Sequence, residues 1–117
     1  MNWKKLSSIS NADPLFRGCL FRFRRLVPED EIVEYMLFQT WEASGLGLVR
    51  DCGYEAGLVL IVLPAEAMAE GAVGISPQWL IHHWKKWIDN SSSPDEVWVL
   101  KDGRSTPDAL PDEEFNS

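Results

Sequence analysis

Ser76-Pro77-Gln78-Trp79-Leu80-Ile81-His82-His83-Trp84-Lys85-Lys86-Trp87-Ile88 decides the architecture, because it carries the strongest helical period in the chain. Ser76 can accept hydrogen bonds from the free N–H groups of a first turn, and Pro77 suits the first helical position, where no donor is needed. Leu80, Trp84, Trp87 and Ile88 fall at i, i+4, i+7 and i+8 and form one apolar stripe. Lys85 and Lys86 sit near the C-terminal end, where cations favour the helix dipole. Asn90-Ser91-Ser92-Ser93-Pro94 ends the helix.

Outward from this helix the signals are those of strands. Residues 96–101 read as a short strand closed by Asp102-Gly103. Residues 58–63 are continuous, β-branched and bounded by Gly57 and Pro64, and their lack of alternation predicts a strand covered on both faces. Residues 64–74 form a loop with a helical turn at 65–69. Residues 46–49 form a strand between the turn signals Ser44-Gly45 and Asp51-Cys52-Gly53. Residues 29–41 are ambiguous: Ile32, Tyr35, Met36 and Gln39 suit a helix, whereas Ile32, Val33, Tyr35, Phe38, Thr40 and Trp41 suit a strand. The strand is preferred because Ser44-Gly45 then turns it into the next one. Residues 16–23 read as a strand with imperfect alternation at Leu20-Phe21, and residues 1–15 as a weakly ordered lead-in. The expected fold is α+β, an antiparallel sheet of four or five strands with one long helix, about 77–88, packed on a face. Residues 1–103 form a single domain in this reading. Residues 104–117, polar and ending near Asp112-Glu113-Glu114, form an acidic flexible tail.

A chain of 117 residues suits one domain with its own core, and 45% hydrophobic with 25% charged residues is a globular balance. No apolar run approaches the ~18 residues of a membrane span, and the start lacks the apolar core of a signal peptide, so the expectation is a cytoplasmic protein. The net charge of −7 is unevenly spread. Residues 1–25 carry +5, which leaves −12 for the rest. An acidic body argues against nucleic acid as a partner, since phosphate contacts need Lys and Arg. It suits a basic protein partner, and it also suits plain solubility. Cys19 and Cys52 stand outside any CxxC pair and read as buried structural thiols.

Catalytic signatures are missing: there is no GxSxG, P-loop or GxGxxG. His82 and His83 are adjacent, so on a helix they diverge by about 100°. The residues four positions away, Gln78, Trp79, Lys86 and Trp87, are not usual ligands. Neither a metal nor another cofactor is expected. His83 should sit partly exposed beside Trp79, with His82 on the surface. The unusual feature is six tryptophans. Trp84 and Trp87 read most simply as core, and Trp98, in a short strand, is open to a core reading too. Trp41 and Trp79 are open to both core and interface readings, tryptophan being enriched at binding hot spots. The acidic candidates for a basic partner are Glu29, Asp30 and Glu31 after the proline turn, with Asp51 and Glu55 beside the Cys52-Gly53 turn.

Asn2-Trp3-Lys4-Lys5-Leu6, Phe16-Arg17-Gly18, Phe21-Arg22, Arg25-Leu26-Val27-Pro28 and Met36-Leu37-Phe38 form an ordered set. Gly53-Tyr54-Glu55-Ala56-Gly57-Leu58, Leu63-Pro64-Ala65-Glu66-Ala67, Trp79-Leu80-Ile81, Trp84-Lys85-Lys86-Trp87 and Val97-Trp98-Val99 continue it. This set resembles the family of bacterial immunity proteins numbered forty-five, from polymorphic toxin systems, over most of residues 2–101. The resemblance implies a small, non-enzymatic α+β protein whose partner is the C-terminal domain of a cognate toxin. It would block that toxin, delivered by a contact-dependent or type VI secretion route, by stoichiometric occlusion inside the producing cell. Many such toxins are nucleases with basic clefts, which acidic loops can occupy. The alternative is a general protein-interaction or small-ligand-binding module without a toxin partner, and a third reading is a minor enzyme using Cys52 or His83. Oligomeric state is left open.

Overall fold

Helix α1 (Pro77–Trp87) forms where the capping signals place it. Ser76 accepts the Trp79 N–H at 3.2 Å, Pro77 stands in the first turn, and Lys85 and Lys86 lie in the last. The computed structural model describes residues 2–40, 45–71 and 73–111. In it α1 lies against a six-stranded antiparallel sheet, which makes the fold α+β. In chain order the strands are β1 (Lys4–Lys5), β2 (Leu20–Arg25), β3 (Glu31–Gln39), β4 (Leu46–Arg50), β5 (Val59–Val62) and β6 (Trp98–Leu100). Across the sheet the order is β1-β6-β2-β3-β4-β5. Three-residue 3-10 turns at Leu6–Ser8, Ala65–Ala67 and Pro94–Glu96 brace the helix side.

The helix stripe meets β2. Trp84 is fully buried, edge-on to Phe23 with ring centroids 5.1 Å apart, and 6.3 Å from Phe21. Its indole N–H donates to Ser92 at 2.9 Å, which satisfies the one polar atom the ring takes inside. Alternation along the strands sends Phe21 and Phe23 of β2, Val33, Tyr35 and Leu37 of β3, and Leu46 and Leu48 of β4 to this side. The ambiguous segment is therefore a strand, the longest of the six.

Three expectations are corrected. The lead-in is ordered: Lys4 and Lys5 pair with Val99 and Trp98, and Leu6, Ile9 and Leu15 are buried in the core. A two-residue strand is too short for alternation to reveal, so the sheet has one strand more than expected. Trp98 is not core; it stands on the far face of the sheet, partly exposed, with the Lys5 ammonium 4.6 Å from its ring. The third correction concerns β5, expected to be covered on both faces. It is the outer edge of the sheet, and Leu58, Val59, Leu60 and Val62 are exposed. No helix among the described residues is long and apolar enough to cross a membrane.

Candidate protein-binding site

The strand order fixes which loops meet. Antiparallel β2 and β3 are joined by residues 26–30, and antiparallel β4 and β5 by residues 51–58, so both connections emerge at the same end of the sheet. They enclose an open cleft of about 490 Å³ lined by Arg25, Pro28, Glu29, Glu31, Arg50, Gly53, Tyr54 and Glu55. Three of the acidic candidates thus converge here: Glu29, Glu31 and Glu55.

Their electrostatic situations differ. Glu31 lies opposite Arg25 in the β2–β3 register and forms an ion pair with it, and Arg50 reaches the same carboxylate at 3.9 Å. Arg50 also lies over the Tyr35 ring, 5.9 Å from its centroid. Glu31 therefore belongs to the wall of the cleft. Glu29 is exposed and Glu55 half-buried, and neither enters an ion pair among the described residues. Asp30 is held by Arg24 at 2.8 Å on the outside of the turn.

The aromatic of this site is one that tryptophan counting overlooks. Tyr54 is fully exposed, its area matching that of a free reference residue (101%). Leu26 and Val27, on the turn across the cleft, are also exposed. A bulky aromatic set in a Gly-bounded polar loop was the available signal, and so was an apolar pair in a turn.

Asp51 lies on the other face of the sheet, away from the cleft. Its side chain is only 10% exposed and faces Glu34, whose side chain is 3% exposed. Glu34, which the sequence reading passed over, takes Arg22 at 2.6 Å and Arg104 at 2.8 Å, and Arg104 reaches Asp51 at 3.6 Å. Burial pushes the Asp51 carboxyl up to about 6, and the adjacent Glu34 carboxylate adds to the rise. For Glu34 burial acts upward too, but the hydrogen bonds from Asp51 and Arg22 and the charges of Arg22 and Arg104 outweigh it and hold the group below its ordinary value. As pH falls, the pair therefore takes its first proton on Asp51 while Glu34 stays ionised. Cys52 contributes a third potential ligand atom, all within 4.8 Å. The two arginines on Glu34 already supply the positive charge that a metal ion would bring.

Trp79 is half-buried on α1, stacked on His83 at 4.5 Å and 5.7 Å from Trp87. It lines a separate cleft with Glu66, Glu70, Gln78 and His82 that shares no residue with the Tyr54 cleft. His83 Nδ1 lies 2.8 Å from the Trp79 carbonyl, and His82 is exposed beside Gln78, which makes both structural or surface groups. Trp41 lies outside the described residues. Cys19 is buried, and burial raises its thiol to about 12. Cys52 is exposed, contrary to expectation. Desolvation and the Asp51 and Glu34 carboxylates raise its pKa as well, the opposite of what an activated nucleophile needs.

The class these features define is an α+β domain with a one-sided helix and a loop end made of acid, tyrosine and apolar turn residues. A family model described as Immunity protein 45 matches residues 8–99, most of the chain, and the chain belongs to that family. Membership assigns it an immunity function in general, a role as inhibitor of a toxin protein. No curated protein and no solved structure matches the chain.

Proposed function

We propose that this chain neutralises a cognate secreted toxin by binding its C-terminal domain one to one, with the loop end around Tyr54 facing the toxin. The supporting observation is the convergence of Glu29, Glu31 and Glu55 on one open cleft beside the fully exposed Tyr54. A large aromatic with few rotatable bonds makes an anchor at low entropic cost, and an acidic rim orients a basic partner. A toxin with a basic active-site cleft, such as a nuclease, fits this surface, and occlusion of that cleft inhibits it with no catalysis by the inhibitor. The setting is the cytoplasm of the producing cell, which a toxin delivered by a contact-dependent or type VI route would otherwise enter.

The test is a titration of the purified chain against the C-terminal domain encoded by the adjacent toxin gene, followed by light scattering and by toxin activity. A one-to-one complex whose formation abolishes activity is expected. Absence of any complex removes this reading.

A further inference from the structure

From the edge of the sheet we infer that β5 docks an extended strand of the partner toxin, apolar in its middle and carrying Lys or Arg towards both ends. The inference rests on the toxin-binding reading and adds where and how the partner attaches. Residues 57–64, Gly-Leu-Val-Leu-Ile-Val-Leu-Pro, contain no charge. A continuous apolar strand of this kind is the composition of one buried on both faces. Here, among the described residues, it lies at an open edge, with Leu58, Val59, Leu60 and Val62 all exposed. Soluble proteins protect such edges with charges or prolines inside the strand, and β5 has neither. Its single irregularity is the register shift that leaves Leu60 without a β4 partner, while Ile61 and Val62 pair regularly with Leu48 and Gly47.

Backbone groups are available for a new strand. The Leu63 N–H donates to the Leu46 carbonyl at 2.8 Å. By the two-residue alternation of an antiparallel ladder, the Val62 N–H and C=O point away from β4, outward from the sheet. An incoming strand can therefore extend the sheet by main-chain hydrogen bonds while its side chains meet Val59 and Val62. The loop carrying Tyr54 and Glu55 leads directly into β5, so strand and cleft form one continuous surface.

Charge selects the occupant. Glu55 precedes the apolar run and the exposed Glu66 follows it. If two copies of this chain paired antiparallel through β5, each Glu55 end would lie beside a Glu66 end, with acids facing acids at both extremities. A strand with basic ends meets opposite charges in the same two places, and like-charge juxtaposition disfavours the self-pair.

The experiment is amide hydrogen exchange on the full chain, alone and saturated with the C-terminal domain of the adjacent toxin gene, beside binding of the variants Val62→Pro and Val62→Lys. The Val62 amide should exchange at least about tenfold more slowly in the complex. Val62→Pro removes the outward donor without touching the β4 ladder, and should weaken binding by about tenfold, the worth of one or two backbone hydrogen bonds. Val62→Lys, which keeps the donor but sets a charge against the apolar middle of the incoming strand, should also weaken it. A complex of undiminished affinity in both variants, or one that leaves Val62 exchange unchanged, overturns the strand docking while leaving the toxin reading intact. If a variant fails to fold, exchange in the unaltered chain still decides. A chain that alone forms a stable dimer protecting Val62 assigns the edge to a second copy and overturns the partner named here. No complex at all overturns the toxin reading first.

Discussion

Trp84 connects one residue of the helix stripe to the stability of the whole core. Fully enclosed between α1 and the rings of Phe21 and Phe23, it leaves a large void when truncated, and its loss also orphans the Ser92 hydroxyl. Trp84→Ala should destabilise by about 3–5 kcal/mol in a urea titration. A loss under about 1 kcal/mol would show that the ring does not fill the core. Tyr54 is the opposite case, exposed and tied to nothing that folding requires. Tyr54→Ala should leave the melting temperature unchanged yet cost about 2 kcal/mol in toxin affinity, roughly thirtyfold. Unaltered affinity would move the anchor elsewhere.

Asp51 makes a prediction about pH at the same scale. Its folded value of about 6 stands above the ordinary 3.8. The folded state therefore binds more protons than the unfolded state between about pH 4 and 6, so this group's contribution to stability falls as pH rises across that window. Glu34, held below its ordinary value, acts in the opposite sense and only at lower pH, where its contribution is lost as it becomes protonated. In Asp51→Asn the first effect disappears. The variant should gain stability relative to the parent on going from pH 4.5 to pH 7.5, read as urea midpoints. The same difference at both pH values would exclude Asp51 as the cause.

Among the elements, β5 and the C-terminal segment show how far composition and position can diverge. The apolar continuity of residues 58–63 correctly marks a strand but says nothing about its place in the sheet. Only the order β3-β4-β5 puts it at the rim, with no β6 or β1 beyond it. The C-terminal segment divides at Arg104. That residue holds the buried Glu34 carboxylate, whereas residues 105–111 are exposed apart from Ala109. Truncation after Arg104 should shift the melting temperature by less than about 2 °C, well under 1 kcal/mol for a domain of this size. Arg104→Ala should cost about 1 kcal/mol, because a buried carboxylate loses one of its two arginine partners in a half-exposed pair. A large drop on truncation would mean that residues beyond Arg104 dock on the body.

For the whole molecule, the −12 borne by residues 26–117 is a field and not a set of bonds. Part of it is internally compensated: Asp30 by Arg24, Glu31 by Arg25 and Arg50, and Glu34 by Arg22 and Arg104. Glu29 and Glu55 remain on the cleft rim to act on a partner. Reversing both to lysine should slow association with the toxin domain severalfold and flatten its dependence on salt, since exposed charges are screened within about 8 Å at physiological ionic strength. Dissociation should change far less. Surface-immobilised kinetics at several salt concentrations checks this, and an association rate indifferent to both charge and salt would remove the steering role.

The class of fold could be read along the chain, because the cap at Ser76-Pro77, the period of Leu80 and Trp84, and the turn signals at Gly45 and Gly53 are local features whose physics does not depend on distant residues. The family was legible for a similar reason, in short aromatic and glycine motifs spread along most of the length. Which residues share a surface depends instead on how the strands are ordered in space. Strand order brings residues 26–30 to residues 51–58, sends Asp51 to the opposite face from Glu31, and leaves Tyr54 in solvent. It also places Lys4 and Lys5 beside β6 through contacts more than ninety residues apart in sequence. Local periodicity reports which way a side chain points along its own strand. It carries no information about the neighbour on either side, and the neighbour determines whether an apolar strand is core or edge, and whether a carboxylate is a surface charge or, like Glu34, a buried group held by arginines.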